Sequence, residues 1–276
     1  SSSKSTAGQA KIVQDNVMRS TQHFPIVGIG ASAGGLEALT AFFEHAAPDA
    51  GAAYVVVMHL SPVHESHADE ILQRATSMPV VAVTKPVHVE RDTVYIISPN
   101  QILEMNDGYL RVRAREAGAA PVAIDQFMRT LALAHRQHAV AVILSGTGVD
   151  GVDSLTLVKD QGGLVLVQPP EEAAHAGMPR AAIDTGLADF VLPVAQMPAK
   201  LASLWHNAAQ IDLPQLDEED EAREARGLSD GHRQEGVLRE ILTILRAKSG
   251  HDFSRYKRAT VLRRIERRLQ VRELHA

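Results

Sequence analysis

The sequence predicts an α/β fold, a doubly wound and mostly parallel sheet with helices on both faces, followed by a short all-helical segment. Short apolar runs alternate with amphipathic helical stretches from residue 25 to about residue 206. The runs are nearly unbroken Val, Ile, Leu and Ala, as strands covered on both faces require. The composition also supplies a core: of 276 residues 45% are hydrophobic and 22% charged, while aromatics are only 4%, so that core must be aliphatic.

Residues 1–23 are polar and aperiodic and read as a disordered tail. Strand-like runs follow at 25–29, 53–58, 80–83, 94–97, 140–144 and 164–167, with a weaker one at 190–192. Helical periodicity places helices at 36–45, 68–77, 125–136, 152–161 and 179–185, and a last one at 199–206. Residues 102–105 and 109–112, joined by Asn106-Asp107-Gly108, read as a hairpin with a primed turn. The whole of 24–206 forms one domain. Residues 207–236, with "LDEEDEAREARG" at their centre, have the composition of an acidic linker. From Val237 a helical period returns, with Leu238, Ile241, Leu242 and Leu245 on one face, and a strongly basic helix runs over 254–274.

Several classes are excluded early. With no cysteine there is no disulfide, thiolate metal site or cysteine nucleophile, and this usage suits a reducing cytoplasm. No apolar run approaches the roughly 20 residues that span a bilayer, and the Ser/Lys-rich start is not a signal peptide. A net charge of -5 argues against a general nucleic-acid binder.

The loop "VGIGASAGG" at 27–35 serves two chemistries. Gly28, Gly30 and Gly34 fit a dinucleotide-binding pattern between a strand and a helix. That pattern wants an acidic residue at the end of the next strand to hold a ribose, and "AAYVVVMHLSP" ends in His59 instead. The same letters spell G-x-S-x-G, in which a tight strand-to-helix turn lifts Ser32 out as a nucleophile and the Ala33 N–H faces a developing oxyanion. The plainer alternative is that Ser32 caps the following helix.

His59 closes the second strand as Ser32 closes the first, and in open α/β sheets such ends meet at the ligand crevice. His64 and His67 follow on a loop and helix start and read as solvated. A group to orient the imidazole is supplied by Asp150 in "VILSGTGVDG", after the 140–144 strand; its alternative is also a helix cap. Asp125 and Asp153 are rivals, the latter inside a helical pattern. The order Ser, His, Asp is not that of the α/β-hydrolases.

Together "IGASAGG", "VVMHLSP", "VYIISPN", "AIDQFMRTLA", "VILSGTGVDG" and "AGMPRAAIDTG" make the region of about 24–204 resemble the catalytic domain of the bacterial chemotaxis protein-glutamate methylesterases. The resemblance implies a serine hydrolase that removes methyl esters from glutamates of chemoreceptor signalling helices, releasing methanol, with glutamine deamidation in some members. It implies Ser32, His59 and Asp150 as catalytic residues and Ala33, Thr147 and Gly148 at the oxyanion site, with Met178 beside it. No metal or cofactor is implied. Where the family often has threonine after the serine, this chain has Ala33. The 23 residues ahead of the domain are too few for the receiver domain that usually precedes it, so phosphorylation of an attached receiver is not expected to control the site. The alternatives from other classes are a silent receptor-binding scaffold and a nucleotide- or phosphate-binding module.

The tail "LREILTILRAKSGHDFSRYKRATVLRRIERRL" resembles the helical N-terminal domain of the chemotaxis receptor methyltransferases, whose basic helix faces the receptor. Residues 237–276 read as the start of that domain, with Val261, Ile265, Leu269 and Val271 as the buried stripe. The chain is then a fragment of an esterase–methyltransferase fusion, and S-adenosylmethionine is not expected to bind it. The acidic linker raises the expectation of a tethered mimic of a glutamate-rich receptor.

Overall fold

The computed structural model describes residues 24–58, 67–98, 101–106, 108–114 and 122–208, together with 243–244, 261, 264–265 and 268. Among the described residues of 24–208, ten strands and six α-helices succeed one another: β1 Ile26–Ala31, α1 Gly35–His45, β2 Ala53–Met58, α2 Ala68–Ala75, β3 Val80–Val83, β4 Val87–His88, β5 Val94–Ile97, β6 Gln101–Asn106, β7 Tyr109–Ala114, α3 Ala123–His135, β8 Ala139–Ile143, α4 Leu155–Asp160, β9 Leu164–Val167, α5 Gly177–Asp184, β10 Phe190–Val191 and α6 Met197–Ala208. Seven strands form a parallel sheet in the order β10-β9-β8-β1-β2-β5-β3. The chain winds outward from β1 through β2, then returns to lay β8 on the other side of β1. That reversal makes a topological switch point between β1 and β8, where open α/β sheets build their crevices.

Every residue of β1, β2, β5, β8 and β9 is buried, which explains their unbroken apolar runs. The two faces of β1 seat different helices. A Cβ on Gly28 would lie 2.8 Å from Met128 Sδ, and one on Gly30 would lie 2.5 Å from Ile124 Cγ2, both side chains of α3. Ala31, on the opposite face by strand alternation, approaches Gly35 of α1, where an added Cβ would come within 2.6 Å. Gly28 and Gly30 thus let α3 press onto the sheet. This weighs against the nucleotide reading, because the space it assigns to bound phosphate is occupied by the core.

The expected hairpin is present as β6 and β7, paired from Gln101↔Ala114 to Asn106↔Tyr109 with Gly108 at φ 74°. It belongs to a separate antiparallel sheet of order β4-β7-β6, whose short strand β4 carries too little sequence to be read. The hairpin is tied to α3: Thr130 Oγ1 accepts the Met105 N–H at 3.0 Å, and Gln126 Nε2 donates to Glu104 Oε1 at 2.7 Å.

One helix boundary is corrected. The pattern at 152–161 put Asp153 inside a helix, but α4 starts at Leu155: the chain before it makes tighter i to i−3 turns, Val152 N–H to Val149 O and Leu155 N–H to Val152 O, each at 3.2 Å, and Asp125 Oδ1 accepts the Ser154 N–H at 2.8 Å. A second compact unit begins at Leu204; its described residues 243–244, 261, 264–265 and 268 are helical, with Val261 buried and Arg264 and Arg268 exposed. α6 runs to Ala208 and takes in the first two residues of the expected linker, and Leu269, Val271 and residues 209–236 lie outside the described residues.

Candidate functional site

The β1 ladder runs on past its strand. Leu144 donates its N–H to Gly30 O, and Ser32 donates its own to Ser145 O, each at 2.9 Å. The chain then turns sharply, the Gly35 N–H reaching back to Ser32 O at 2.9 Å. Gly34 makes this turn possible with φ 70°, a left-handed conformation that costs glycine little. Gly34 is also the N-cap of α1, with no side-chain cap. Ser32, half-buried, engages the helix start through its carbonyl and stands at the switch point.

Ser145, fully buried, fastens three loops around Ser32. Its N–H donates to Gln168 Oε1 at 2.8 Å, its hydroxyl donates to Ala33 O at 2.8 Å, and the same oxygen accepts the His175 N–H at 3.0 Å. Gly146 follows, donating to His175 O at 3.0 Å and accepting from Met178 N at 2.9 Å. A Cβ on Gly146 would sit 2.2 Å from Met178 Sδ and 2.9 Å from Ser32 Cβ. The β8 loop therefore lies against the serine with only glycine's bulk to spare. Sequence reasoning missed Ser145, Gly146 and Gln168, and only the motif "VILSGTGVDG" hinted at the first two.

Gly146→Ala is expected to displace either Ser32 or Met178. Turnover should fall about 100-fold, since a shift of about 1 Å is enough for that, with overpacking costing about 1–3 kcal/mol. Steady-state kinetics and a urea unfolding curve on the full chain check both numbers.

The remaining predicted residues fall around this junction. Thr147 and Gly148 lie exposed on the β8 loop, with Gly148 at φ 82°, and a Cβ on Gly177 would meet the Gly148 nitrogen at 3.2 Å. Met178, at the start of α5, is fully buried behind Gly146. Ala33 is half-buried beside Ser32.

Asp150 is buried at the end of the β8 loop. Its Oδ2 accepts the Ile124 N–H at 3.0 Å and its Oδ1 accepts the Asp125 N–H at 2.9 Å. It caps a helix, as its alternative reading held, but the helix is α3, which precedes it in sequence, not α4, which follows. The rival Asp125 is committed elsewhere: its carboxylate takes the Ser154 N–H and a Gly151 amide. Burial holds the Asp125 carboxyl above its ordinary value against those amides, and the negative Asp150 adds to the rise. His59 and His64 lie outside the described residues. Met58, which precedes His59, is in register with Ala31, which precedes Ser32.

Among the described residues no group of three or more His, Asp or Glu side chains could hold a metal ion, and no helix is long and apolar enough to cross a membrane.

The sequence pattern of the CheB methylesterase family matches residues 27–201, and that of the CheR methyltransferase all-alpha domain matches residues 237–275. An uncharacterized 104.1 kDa protein of Rhodobacter capsulatus is 34% identical over 74% of this chain and 22% of its own length. A protein-glutamate methylesterase/protein-glutamine glutaminase of Geobacter sulfurreducens is 31% identical over 66% of this chain and 52% of its own. The chain thus spans about half of the latter and under a quarter of the former. The crystal structure of the Thermotoga maritima CheB methylesterase catalytic domain superposes with a TM-score of 0.60 at 28% identity, covering 66% of this chain and 98% of that one.

Proposed function

The chain belongs to the CheB methylesterase family, and from that premise we propose that it is a serine hydrolase that removes methyl esters from glutamate side chains of chemoreceptor signalling helices and deamidates receptor glutamines by the same route. The observation that carries this reading is Ser32, held in a tight turn at the β1/β8 switch point and fixed by backbone to the β8 loop. Support for the roles comes from placement. Ser32 directly follows β1, Asp150 ends the β8 loop, and the register of Met58 with Ala31 brings the β2 exit to the same edge.

In the proposed reaction Ser32 Oγ attacks the ester carbonyl while His59 takes its proton, and Asp150 orients the imidazole and stabilises its charged form. The oxyanion is met by backbone N–H groups of Ala33 and of the Thr147–Gly148 segment. His59 then protonates the departing methoxide as methanol, and water, deprotonated by His59, releases the glutamate. The side chains form the acyl-enzyme without a metal or organic cofactor. The all-alpha segment is proposed to contact the receptor, and S-adenosylmethionine binding is assigned to neither unit.

The test is methanol release from a methyl-esterified receptor signalling fragment incubated with the chain. Release with an equal gain of glutamate carboxylate supports the reading. Binding of the fragment without release would leave the scaffold alternative in its place.

A further inference from the structure

Asp125 and Asp150 reach across each other. Asp150 places both carboxylate oxygens on the first amides of α3, at Ile124 and Asp125. Asp125 returns its own carboxylate to the segment after Asp150, accepting the Ser154 N–H at 2.8 Å and a Gly151 amide. Ser154 closes the circle by donating its hydroxyl to Gly151 O at 3.0 Å. Packing supports the same contact, because Gly151, at φ 94°, has room for a Cβ only by coming within 2.7 Å of Ile124 Cγ2. Asp125, Asp150 and Ser154 are all buried. The side chain of Asp150 is thus pinned to α3 by helix amides, and the backbone that follows it is pinned to the same helix by Asp125.

We propose that Asp125 is a positioning residue for Asp150: by holding the 151–154 turn on the first turn of α3, it fixes the direction in which Asp150 presents its carboxylate. The proposal rests on the reading that Asp150 orients the catalytic imidazole. Asp125 itself touches no substrate. Two anchors, one on the Asp150 carboxylate and one on the backbone that follows its Cα, hold the residue more tightly than the helix amides alone. Loss of the Asp125 carboxyl leaves the Ser154 N–H buried without that acceptor and frees the turn, while Asp150 keeps its own amides.

Asparagine retains one carbonyl oxygen for the Ser154 N–H, and alanine retains none. Asp125→Ala is therefore expected to lower kcat about 10- to 100-fold, through a displacement of about an ångström or less. KM should stay within about twofold, because the lost alignment matters only in the transition state. Asp125→Asn should recover most of the loss. Methanol release is normalised to folded enzyme, and the rate at which a fluorophosphonate labels Ser32 is measured in parallel. A solely structural role would lower the unfolding midpoint and leave both rates per folded molecule unchanged, which overturns the proposal. If the alanine variant does not fold, Asp125→Ser replaces it, its hydroxyl one bond short of the carboxylate's reach; wild-type rates in folded Asp125→Ser also overturn it. Asp150→Ala is the control for the underlying reading. Wild-type labelling of Ser32 in that variant removes Asp150 from the reaction, whatever the Asp125 variants show.

Discussion

Ser32→Ala is expected to abolish methanol release, with kcat falling by about 10⁴- to 10⁶-fold, the range found when a serine nucleophile is removed from an intact site. The substitution is clean for a structural reason. Two bonds by which residue 32 holds the turn are backbone, the N–H to Ser145 O and the carbonyl from Gly35 N, and alanine keeps both. Ser145, Gly146 and Met178 then retain their partners, so the variant should fold and unfold as the parent does. What goes is Oγ, and with it the acyl-enzyme. Residual rate above the uncatalysed ester hydrolysis should persist, because the oxyanion amides and substrate binding are untouched. Methanol release and fluorophosphonate labelling should disappear together. Activity within about tenfold of the parent would place the nucleophile elsewhere and sink the serine-hydrolase assignment.

The parts of this site that were legible in the sequence are those written in local pattern. An apolar run, a small-residue turn and a helix put Ser32 at a strand end, and strand alternation with helices fixed the architecture. The glycines misled for a physical reason. Gly28 and Gly30 look like a phosphate cradle, yet what needs their lack of a side chain is the approach of Ile124 and Met128, nearly a hundred residues away. Asp150 was legible as a candidate but ambiguous as to role. Its capped helix lies upstream in sequence, reached only when the chain returns through β8. Ser145, Gly146 and Gln168 were illegible because their work is tertiary. A serine whose N–H and hydroxyl together join three loops, and a glycine whose missing Cβ makes room for Ser32 and Met178, have no signature of their own until β1, β8 and β9 lie side by side. The order of β5 and β3 at the sheet edge is likewise a matter of crossover, which strand propensity does not encode.

Asp150→Asn separates the two roles that this carboxylate combines. Both of its oxygens accept backbone N–H groups, from Ile124 at 3.0 Å and Asp125 at 2.9 Å. An asparagine offers one accepting oxygen and one donating nitrogen, so whichever way it turns, one α3 amide faces an NH₂ group. The stability loss from that one lost bond should be about 1–3 kcal/mol, the cost of a buried donor without a partner. The catalytic loss should be far larger. A carboxamide brings no negative charge to an imidazolium, and its oxygen and nitrogen no longer select the tautomer that leaves the nitrogen facing Ser32 unprotonated. The expected fall in kcat is about 10³- to 10⁴-fold, with the fluorophosphonate labelling rate falling in step. The two effects divide the readings because they are carried by different atoms' duties. Were Asp150 a helix cap and nothing more, the unfolding midpoint would drop while kcat per folded enzyme stayed put. A collapse of kcat that exceeds what the stability loss leaves unfolded requires that the carboxylate also face the base, and that the α3 amides hold it there.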